Sequence, residues 1–365
     1  MMRPGPALSL PWPAPEPRDP PLISWFEFWP AALFYAPVLA QAVLLALRYR
    51  SATLLTAANP AIPSGGLCGE SKTEILDQIQ GPERARIAAW TRLPPGADAP
   101  AALAAMQAAG LRFPLVVKPD IGCNGAGVRQ VADAETLART LTAFPPDAAL
   151  MLQELIPAPL EAGIFYIREP GAAQGRISSI TLKSPPEVVG DGRSSLRALI
   201  AADPRAGRLA RLYLPRLGAR ADEVPPQGAR VPLVFVGNHC RGSLFRDGTD
   251  HATPALTAAI ERLARSLPAF HFGRFDVRFD QLAALTRGEG FRVIEINGVG
   301  AEATHIWDPR TRLLDAWRVQ LAHHAAAWRI GAANRAAGAR PTGIRGLWRL
   351  WRRQTRLMAA YPESD

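Results

Sequence analysis

Cysteine is scarce in this chain, with three residues in 365, at Cys68, Cys123 and Cys240. They are far apart, and no two of them stand at the short spacing of a zinc-binding pair. An odd, widely spaced set is also unlike the cysteine framework of small secreted domains. The sequence therefore argues against a disulfide-stapled scaffold or a cysteine-bound metal, and it favours a reducing, cytosolic environment.

Acidic and aromatic residues are also few. There are 32 acidic residues against 42 lysines and arginines, which gives a net charge of +10, and aromatic residues make up 7% of the chain. Positive charge favours anionic partners such as nucleotides, nucleic acid or anionic lipid, although a composition rich in alanine, arginine and proline can also follow from the genome. The shortage of stacking aromatics and the lack of a recognised module argue against nucleic acid as a partner of the arginine-rich end of the chain.

The chain does contain enough apolar sequence for a core. Hydrophobic residues make up 48% and charged residues 20%, which is typical of a globular protein, and the length leaves room for about two domains. Residues 1–22 are rich in proline and predict a disordered or polyproline leader. This leader lacks the basic start and the small-residue cleavage site of a secretory signal.

One apolar stretch, Phe28–Leu47, has the length needed to cross a bilayer. Aromatic residues flank it, and Arg48 and Arg50 follow it directly, as at a membrane interface. Pro30 and Pro37 would kink a helix there, however. Two interpretations stay open: a membrane-spanning or surface-lying helix, or a helix that docks on the protein body. If the stretch spans, the arginines place the remainder of the chain in the cytoplasm.

Two segments near the last third of the chain predict a pair of strands. Residues 275–280 alternate between apolar and charged side chains, which is the period of a half-buried strand. The segment FRVIEIN is β-branched and aromatic, and we expect it to be the returning strand. If Gln281 pairs with Gly290, Asp276 lies opposite Glu295.

This pairing would bring several polar side chains together. Asn297 shares the face of Glu295, and Arg274 shares the face of Asp276, because both pairs are two residues apart. Two carboxylates and an amide oxygen suit Mg²⁺, which binds through one or two carboxylates together with substrate phosphates. The alternative is an ordinary hairpin whose polar side chains face water.

A glycine-rich loop follows the strand that ends at Lys118. Gly122, Gly125 and Gly127 would let backbone N–H groups approach phosphate oxygens, and Lys118 would add a positive charge. The spacing of a P-loop is absent, and a plain turn is the alternative interpretation.

Taken in order, these motifs resemble the ATP-grasp superfamily of carboxylate–amine ligases, which includes D-alanine–D-alanine ligases and the ATP-grasp part of cyanophycin synthetases. The resemblance covers roughly residues 72–304. It implies an α+β fold in which two lobes with antiparallel sheets clasp ATP, here with a hydrophobic N-terminal helix and C-terminal helices. The loop GVGAEATH after Asn297 lacks the serine of D-alanine–D-alanine ligases, so the resemblance does not extend to their substrate.

The resemblance implies the following site residues. The ATP phosphates would be bound by Lys72, Lys118, Gly122, Asn124, Gly125 and Gly127. Adenine and ribose would be bound by Glu154, Leu155, Ile156 and Glu161. Metal would be bound by Asp276, Glu295 and Asn297. Catalytic side chains would be Arg274 for the oxyanion, with Lys183 and Arg241 as clamps for phosphate or carboxylate or, alternatively, as plain surface residues.

The resemblance also implies a domain order and an activity. We expect a leader at 1–22, a hydrophobic segment at 23–60, an ATP-grasp domain at 61–305 and C-terminal helices at 306–365, with the small lobe at 113–155 and the large lobe at 156–305. The activity would be an ADP-forming ligation of a small-molecule or peptide carboxylate to an amine through an acyl phosphate. ATP and Mg²⁺, or Mn²⁺, would be required. Alternatives are a phosphotransferase on the same fold and a non-catalytic, membrane-associated nucleotide-binding module.

The last helical segment is basic and amphipathic. Ile344, Leu347, Trp348 and Trp351 would share one face, and arginines line the rest. Such a helix is typical of one that lies in a lipid interface, although a helix packed on the protein body shows the same stripe. We therefore expect a cytoplasmic protein, either free or at the inner face of the membrane.

Overall fold

The structure is a computed structural model that describes residues 23–235, 237 and 241–365. The proline-rich leader lies outside the described residues. Two antiparallel sheets form the body, one of four strands and one of five, and a separate pair of strands is inserted within the chain of the five-stranded sheet. The α+β class expected from the sequence is confirmed.

The apolar N-terminal stretch forms two helices instead of one. These are α1 (Ala31–Phe34) and α2 (Ala36–Tyr49). Pro30 precedes the first helix and Pro37 lies in the first turn of the second, which is where proline is tolerated. No helix in the described ranges is long and apolar enough to span a membrane. The stretch therefore does not form one continuous helix, because Pro30 and Pro37 stand at the starts of two helices.

The small lobe is built on the four-stranded sheet. After α3 (Lys72–Asp77) come β1 (Trp90–Leu93), α4 (Ala99–Ala108), β2 (Leu115–Pro119), β3 (Arg129–Val131), α5 (Ala134–Thr142) and β4 (Leu150–Glu154). The strand order is β1-β4-β2-β3. Asp98 and Asp133 cap the two helices of this lobe by accepting a backbone N–H three residues on. The sheet includes β1, which precedes the start expected for this lobe.

The large lobe is built on the five-stranded sheet. The chain continues through β5 (Leu160–Ile167), β6 (Arg176–Ser184), β7 (Glu187–Val189), α6 (Leu196–Ala202), α7 (Ala210–Leu217), β8 (Arg230–Pro232), β9 (Leu244–Asp247), α8 (Pro254–Ser266), β10 (Phe272–Phe279), α9 (Leu282–Thr286) and β11 (Phe291–Asn297). The strand order is β11-β10-β5-β6-β9, and β7 pairs with β8. Apolar side chains of α8 and of β10 form the main core beneath this sheet.

The predicted register of β10 and β11 is confirmed where the polar residues lie. Arg274 pairs with Asn297 and Asp276 pairs with Glu295. A bulge follows directly, because Val277 pairs with Val293 and leaves Ile294 as an extra residue. The expected pairing of Gln281 with Gly290 was therefore wrong, since α9 begins directly after Gln281 and joins the strands in place of a tight turn.

Two C-terminal helices complete the fold, α10 (Leu313–Ala336) and α11 (Ile344–Ala359). Helix α2 packs against α10. Gln41 Nε2 donates to the Leu321 carbonyl at 3.1 Å, and Gln41 Oε1 lies 3.0 Å from Nδ1 of His324. Phe26, Phe34 and Trp307 pack together beside this contact. The N-terminal segment therefore docks on the body, as the second interpretation of the sequence expected.

Candidate active site

A cavity of about 550 Å³ lies between the two sheets. The small lobe contributes Lys118 and the glycine-rich loop to its wall, and the large lobe contributes Asp276 and Glu295. Lys118 and Asp276, which are more than 150 positions apart in the sequence, therefore face one cavity. Its size is that of a pocket for a nucleotide-sized ligand.

Asp276 is the most heavily bonded side chain of this cavity. Arg274 donates to both of its oxygens, from Nε at 2.9 Å and from Nη2 at 3.0 Å. Lys183 Nζ donates at 3.0 Å and Asn297 Nδ2 at 3.2 Å. Burial alone would raise the pKa of Asp276, but the adjacent guanidinium and ammonium outweigh it and lower the pKa to about 2. The carboxylate is therefore ionised at neutral pH.

Glu295 is held more loosely and faces the cavity. Its side chain is 28% exposed, and its nearest cation is Lys72, with Nζ 3.6 Å from Oε1. Lys72 also donates to the carbonyl of Gly122 in the glycine-rich loop. One lysine thus joins the loop of the small lobe to a carboxylate of the large lobe.

Lys118 lies buried at the end of β2 and points into the cavity. Its ammonium donates to Gln153 Oε1 at 2.6 Å, and Gln153 in turn donates to the Ile294 carbonyl at 3.1 Å. Burial lowers the pKa of Lys118 to about 8, although Glu295 acts in the opposite direction. The side chain remains mainly protonated at pH 7, so it can supply a positive charge to a phosphate.

The glycine-rich loop requires backbone conformations that favour glycine. Gly125 and Gly127 have φ of 66° and 70°, and Asn124 has φ of 55°. A Cβ at Gly127 would also lie 2.7 Å from Pro119 Cγ. The positive φ angles and the close contact with Pro119 disfavour larger residues at these positions. Residues 122–126 of the loop line the cavity.

The strand connection after β4 forms another part of the wall. Glu154, Leu155 and Ile156 line the cavity, and Glu154 Oε2 accepts from Ala89 N at 3.0 Å. Arg292 also pairs with Glu154 at 3.0 Å. The Glu154 carboxylate is thus held by Ala89 and Arg292. Leu155 and Ile156 provide the apolar part of this wall.

Glu161 lies farther along this wall on β5. Its carboxylate pairs with Lys183 Nζ at 2.9 Å and with Arg278 Nη2 at 3.5 Å. Lys183 therefore bridges Glu161 and Asp276 and is buried between them. Burial alone would lower the pKa of Lys183, but the two carboxylates raise it. Lys183 thus remains charged and positions both acids.

Asp276, Glu295 and Asn297 offer two carboxylates and one amide oxygen to a metal. Among the residues described, no cluster of three or more histidine, cysteine, aspartate or glutamate side chains is placed to hold an ion. Mg²⁺ is often held by only one or two carboxylates, with phosphate oxygens and water completing its shell. Asp276, Glu295 and Asn297 fit that requirement, since they lie on paired strands and face one cavity.

Most sequence-predicted residues are brought together, but Arg241 is not part of this wall. The described residues that line the cavity do not include Arg241, and its carbonyl accepts from the Tyr213 hydroxyl at 2.9 Å. Its role as a clamp stays a prediction, and its backbone contacts α7 through Tyr213.

Sequence reasoning missed one cation of the site, Arg278. Its guanidinium lies 5.4 Å from the centre of the Phe235 ring and 3.5 Å from the carbonyls of Ile156 and Ala158. Arg278 is two residues from Asp276 on β10, so the alternation of the strand already placed both side chains on one face. That pattern could have indicated Arg278 as a residue of the site.

The aromatic end of the cavity was also missed. Tyr35 and Trp307 donate to the two oxygens of Glu302 at 2.6 and 2.7 Å. Gln320 donates to the same carboxylate. No sequence signal joined these residues, because they are brought together only when α1 and α2 dock on α10.

No protein-family model matches the chain. The glutathione biosynthesis bifunctional protein GshAB of Streptococcus thermophilus strain CNRZ 1066 is 26% identical over 179 residues, which cover 44% of this chain and 23% of that protein. The same values hold for GshAB of strain ATCC BAA-250 / LMG 18311. The match therefore spans less than a quarter of the length of these curated relatives.

Several solved structures are similar to the chain at low identity. The D-alanine–D-alanine ligase of Bacillus anthracis is 16% identical, with 76% of this chain and 71% of that chain covered and a TM-score of 0.44. The bifunctional glutathione synthetase of Pasteurella multocida is 18% identical, with 69% and 36% covered and a TM-score of 0.36. D-cycloserine synthetase DcsG is 14% identical, with 77% and 74% covered and a TM-score of 0.37. The chain is thus similar, at low identity, to proteins whose names describe ligases or synthetases.

Proposed function

We propose that this protein is an ATP-dependent, ADP-forming ligase that joins a carboxylate to an amine. The observation that carries the proposal is the arrangement around one cavity: Lys118 and the glycine-rich loop on one side, and Asp276 with Glu295 on the other. A cation opposite a pair of oxygen donors is what a metal-bound triphosphate requires. Similarity to ATP-grasp ligases supports the same activity.

The nucleotide would lie between the lobes, with its phosphates on the small lobe. Lys72 and Lys118 would contact the phosphates, with Gly122, Asn124, Gly125 and Gly127 closing over them. Leu155 and Ile156 would pack on the adenine ring, and Glu161 would accept from the ribose hydroxyls. Closure of the glycine-rich loop would exclude water, which protects a reactive intermediate from hydrolysis.

Asp276, Glu295 and Asn297 would hold Mg²⁺, or Mn²⁺, against the phosphates. The ion would neutralise charge on the transferred phosphoryl group. These three side chains share one face of β10 and β11, and Asp276 would exchange part of its hydrogen bonding with Arg274, Lys183 and Asn297 for the ion.

The reaction would proceed in two displacements. A carboxylate oxygen of the first substrate attacks the γ-phosphorus, and ADP leaves with the electron pair of the broken bond. The amine of the second substrate then attacks the carbonyl carbon of the acyl phosphate, loses a proton and expels phosphate. Arg274 lies beside Asp276, from where its guanidinium can stabilise the tetrahedral oxyanion.

The aromatic end of the cavity would receive the substrates. It contains Tyr35, Trp307 and the carboxylate of Glu302, which is held by neutral donors in this structure. A carboxylate within an aromatic wall suits an ammonium group. This composition supports an amine, and with it an amino acid or a peptide, as one of the two co-substrates.

Phosphate release from ATP tests the proposal. Pairs of carboxylates and amines should release phosphate and ADP only when both co-substrates are present. Hydroxylamine in place of the amine should trap the acyl phosphate as a hydroxamate. Transfer of the phosphoryl group to a stable product, without phosphate release, would favour a phosphotransferase. The absence of any nucleotide turnover with all pairs would favour a non-catalytic module.

We also propose that α11 docks on an anionic lipid surface. Ile344, Trp348 and Trp351 are 68%, 53% and 53% exposed, although they are large apolar side chains. The arginines of the same helix are Arg345, Arg349, Arg352, Arg353 and Arg356. Exposed tryptophan beside clustered arginine is complementary to an anionic interface. The exposed leucines and valine of α2 would add apolar contact.

Vesicle sedimentation tests this surface. Phosphatidylglycerol-containing vesicles should sediment the full chain, vesicles of phosphatidylcholine alone should not, and salt should weaken binding. A double variant with Trp348→Ser and Trp351→Ser should lose binding, whereas Leu314→Ser, at an equally exposed position of α10, should not. Equal sedimentation of both variants would contradict the proposal, as would binding to neither vesicle by the unaltered chain.

A further inference from the structure

The segment after α11, Tyr361–Asp365, lies along the glycine-rich loop, and we name it the strap. The Tyr361 hydroxyl donates to the Ile121 carbonyl at 2.7 Å. The Ser364 hydroxyl donates to the Gly125 carbonyl at 2.6 Å and accepts from the backbone N–H of Val128 at 3.2 Å. Ser364 is 2% exposed, so these bonds are shielded from water.

The strap continues beyond the loop as an added strand-like contact with β3. Asp365 N donates to the Val128 carbonyl at 3.1 Å, and Gln130 N donates to Asp365 Oδ2 at 2.6 Å. The carboxylate of Asp365 also pairs with Arg129 at 2.8 Å. The strap is therefore bonded to the loop at both ends, before Gly122 and after Gly127.

The strap also contacts the segment that bears Phe235. The backbone N–H of Phe235 donates to the Asp365 carbonyl at 3.2 Å, and Arg216 lies 3.7 Å from Glu363. Phe235 lines the same cavity as the loop. The strap thus connects the glycine-rich loop to the segment that bears Phe235, another residue of the cavity wall.

Helix α11 holds the start of the strap in place. Gln354 accepts from Gly69 N and donates to the Cys123 sulfur at 3.6 Å, and Leu357 is buried in the small-lobe core. Because α11 is anchored on the small lobe, the strap is presented to the loop in a fixed direction.

Hydrogen bonds from the strap should stabilise a glycine-rich loop more than a loop of other composition. Glycines lose more conformational freedom than other residues on ordering, so a glycine-rich loop has a high entropic cost in any single conformation. Hydrogen bonds from a separate, anchored segment offset this cost before a ligand arrives, which increases affinity by preorganisation.

We propose that the strap is a positioning element for nucleotide binding, which rests on the function proposed above. It holds the glycine-rich loop in the shape that covers the ATP phosphates and couples that shape to Phe235. Tyr361 and Ser364 are the positioning residues, and they act through the loop without contacting nucleotide.

Two single variants test the strap in the full chain. Tyr361→Phe removes one hydrogen bond to the loop and Ser364→Ala removes two. A net hydrogen bond contributes on the order of a fivefold change in an equilibrium, so each variant should speed amide exchange in residues 119–131 by about fivefold or more. The dissociation constant for the magnesium complex of AMP-PNP should rise by a similar factor. Ser266→Ala, which loses a hydroxyl bond to the Leu263 carbonyl far from the loop, should change neither value.

The outcomes separate the strap from the proposed activity. Unchanged loop exchange in both variants, or nucleotide binding that is unchanged or tighter at an unaltered melting temperature, would overturn the role of the strap. If the unaltered chain binds no nucleotide while the variants still loosen the loop, the proposed activity fails although the structural contact is real. Tyr361→Phe keeps the ring packed on Phe144, so it provides a folded variant if Ser364→Ala unfolds.

Discussion

At the scale of single residues, the candidate site depends on charges that burial alone would suppress. Asp276 stays ionised because Arg274 and Lys183 lie against it, and Lys118 keeps a pKa of about 8 in spite of its burial. Glu295 differs from both, since its closest ion pair within the described part of the chain is a long one, with Lys72 at 3.6 Å. Glu295 is therefore the carboxylate with the most freedom to bind a metal.

Replacement of Glu295 should remove activity without unfolding the protein. We expect Glu295→Gln to lower ATP turnover by about 100-fold or more, because one ligand of a charge-neutralising ion is lost. The variant keeps the size of the side chain, so the melting temperature should change little. Glu289→Gln, at an exposed position paired with Arg287, is the matched control. Normal turnover in Glu295→Gln would exclude a metal role for this residue.

Lys118 should give nucleotide binding a pH dependence. Only the protonated amine attracts phosphate, and the pKa of the Lys118 side chain without bound nucleotide is about 8. Affinity for Mg–ATP should therefore be constant below that pKa and should fall about tenfold between about pH 7 and about pH 9. Calorimetric titration at several pH values measures this. Lys118→Arg keeps its charge at high pH and should give a flatter profile; an equally steep profile in that variant would assign the effect to another group.

At the scale of elements, β10 and β11 show what sequence could and could not predict. Alternation along each strand placed Asp276, Glu295 and Asn297 on one face, because side chains in a strand have a period of two. The bulge at Ile294 was not predictable, since an extra residue leaves no mark on a short apolar strand. The contact of α2 with α10 was left as one of two alternatives, because hydrophobicity alone does not distinguish lipid from protein as a partner.

Strand β5 supplies a glycine on which the site geometry depends. Gly163 pairs with Asp276, and a Cβ there would lie 3.0 Å from Asp276 Oδ1 and 2.9 Å from Arg274 Cδ. Gly163→Ala should therefore displace this ion pair and lower turnover by about tenfold or more. Gly343→Ala, where no atom lies within 4 Å of the added Cβ, is the control. Full activity of Gly163→Ala would show that the ion pair tolerates displacement.

At the scale of the whole molecule, the order of motifs indicated more than any one motif. Taken alone, the glycine-rich loop could have been a plain turn instead of a phosphate-binding loop. The polar strand pair could have been an ordinary hairpin with its polar side chains in water. Taken in order, they carried a resemblance that implied two facing lobes, and residues of both motifs line the cavity between the sheets. The strap and the aromatic end were beyond prediction, because both are contacts between segments separated by more than 200 residues.

Anomalous diffraction from crystals grown with Mn²⁺ and AMP-PNP tests the central claim most directly. Manganese replaces magnesium at oxygen sites and can be located by its own signal. We predict a peak within about 2.5 Å of carboxylate oxygens of Asp276 and Glu295, with the triphosphate between them and Lys118. A peak or a nucleotide bound elsewhere, with this cavity empty, would contradict the account.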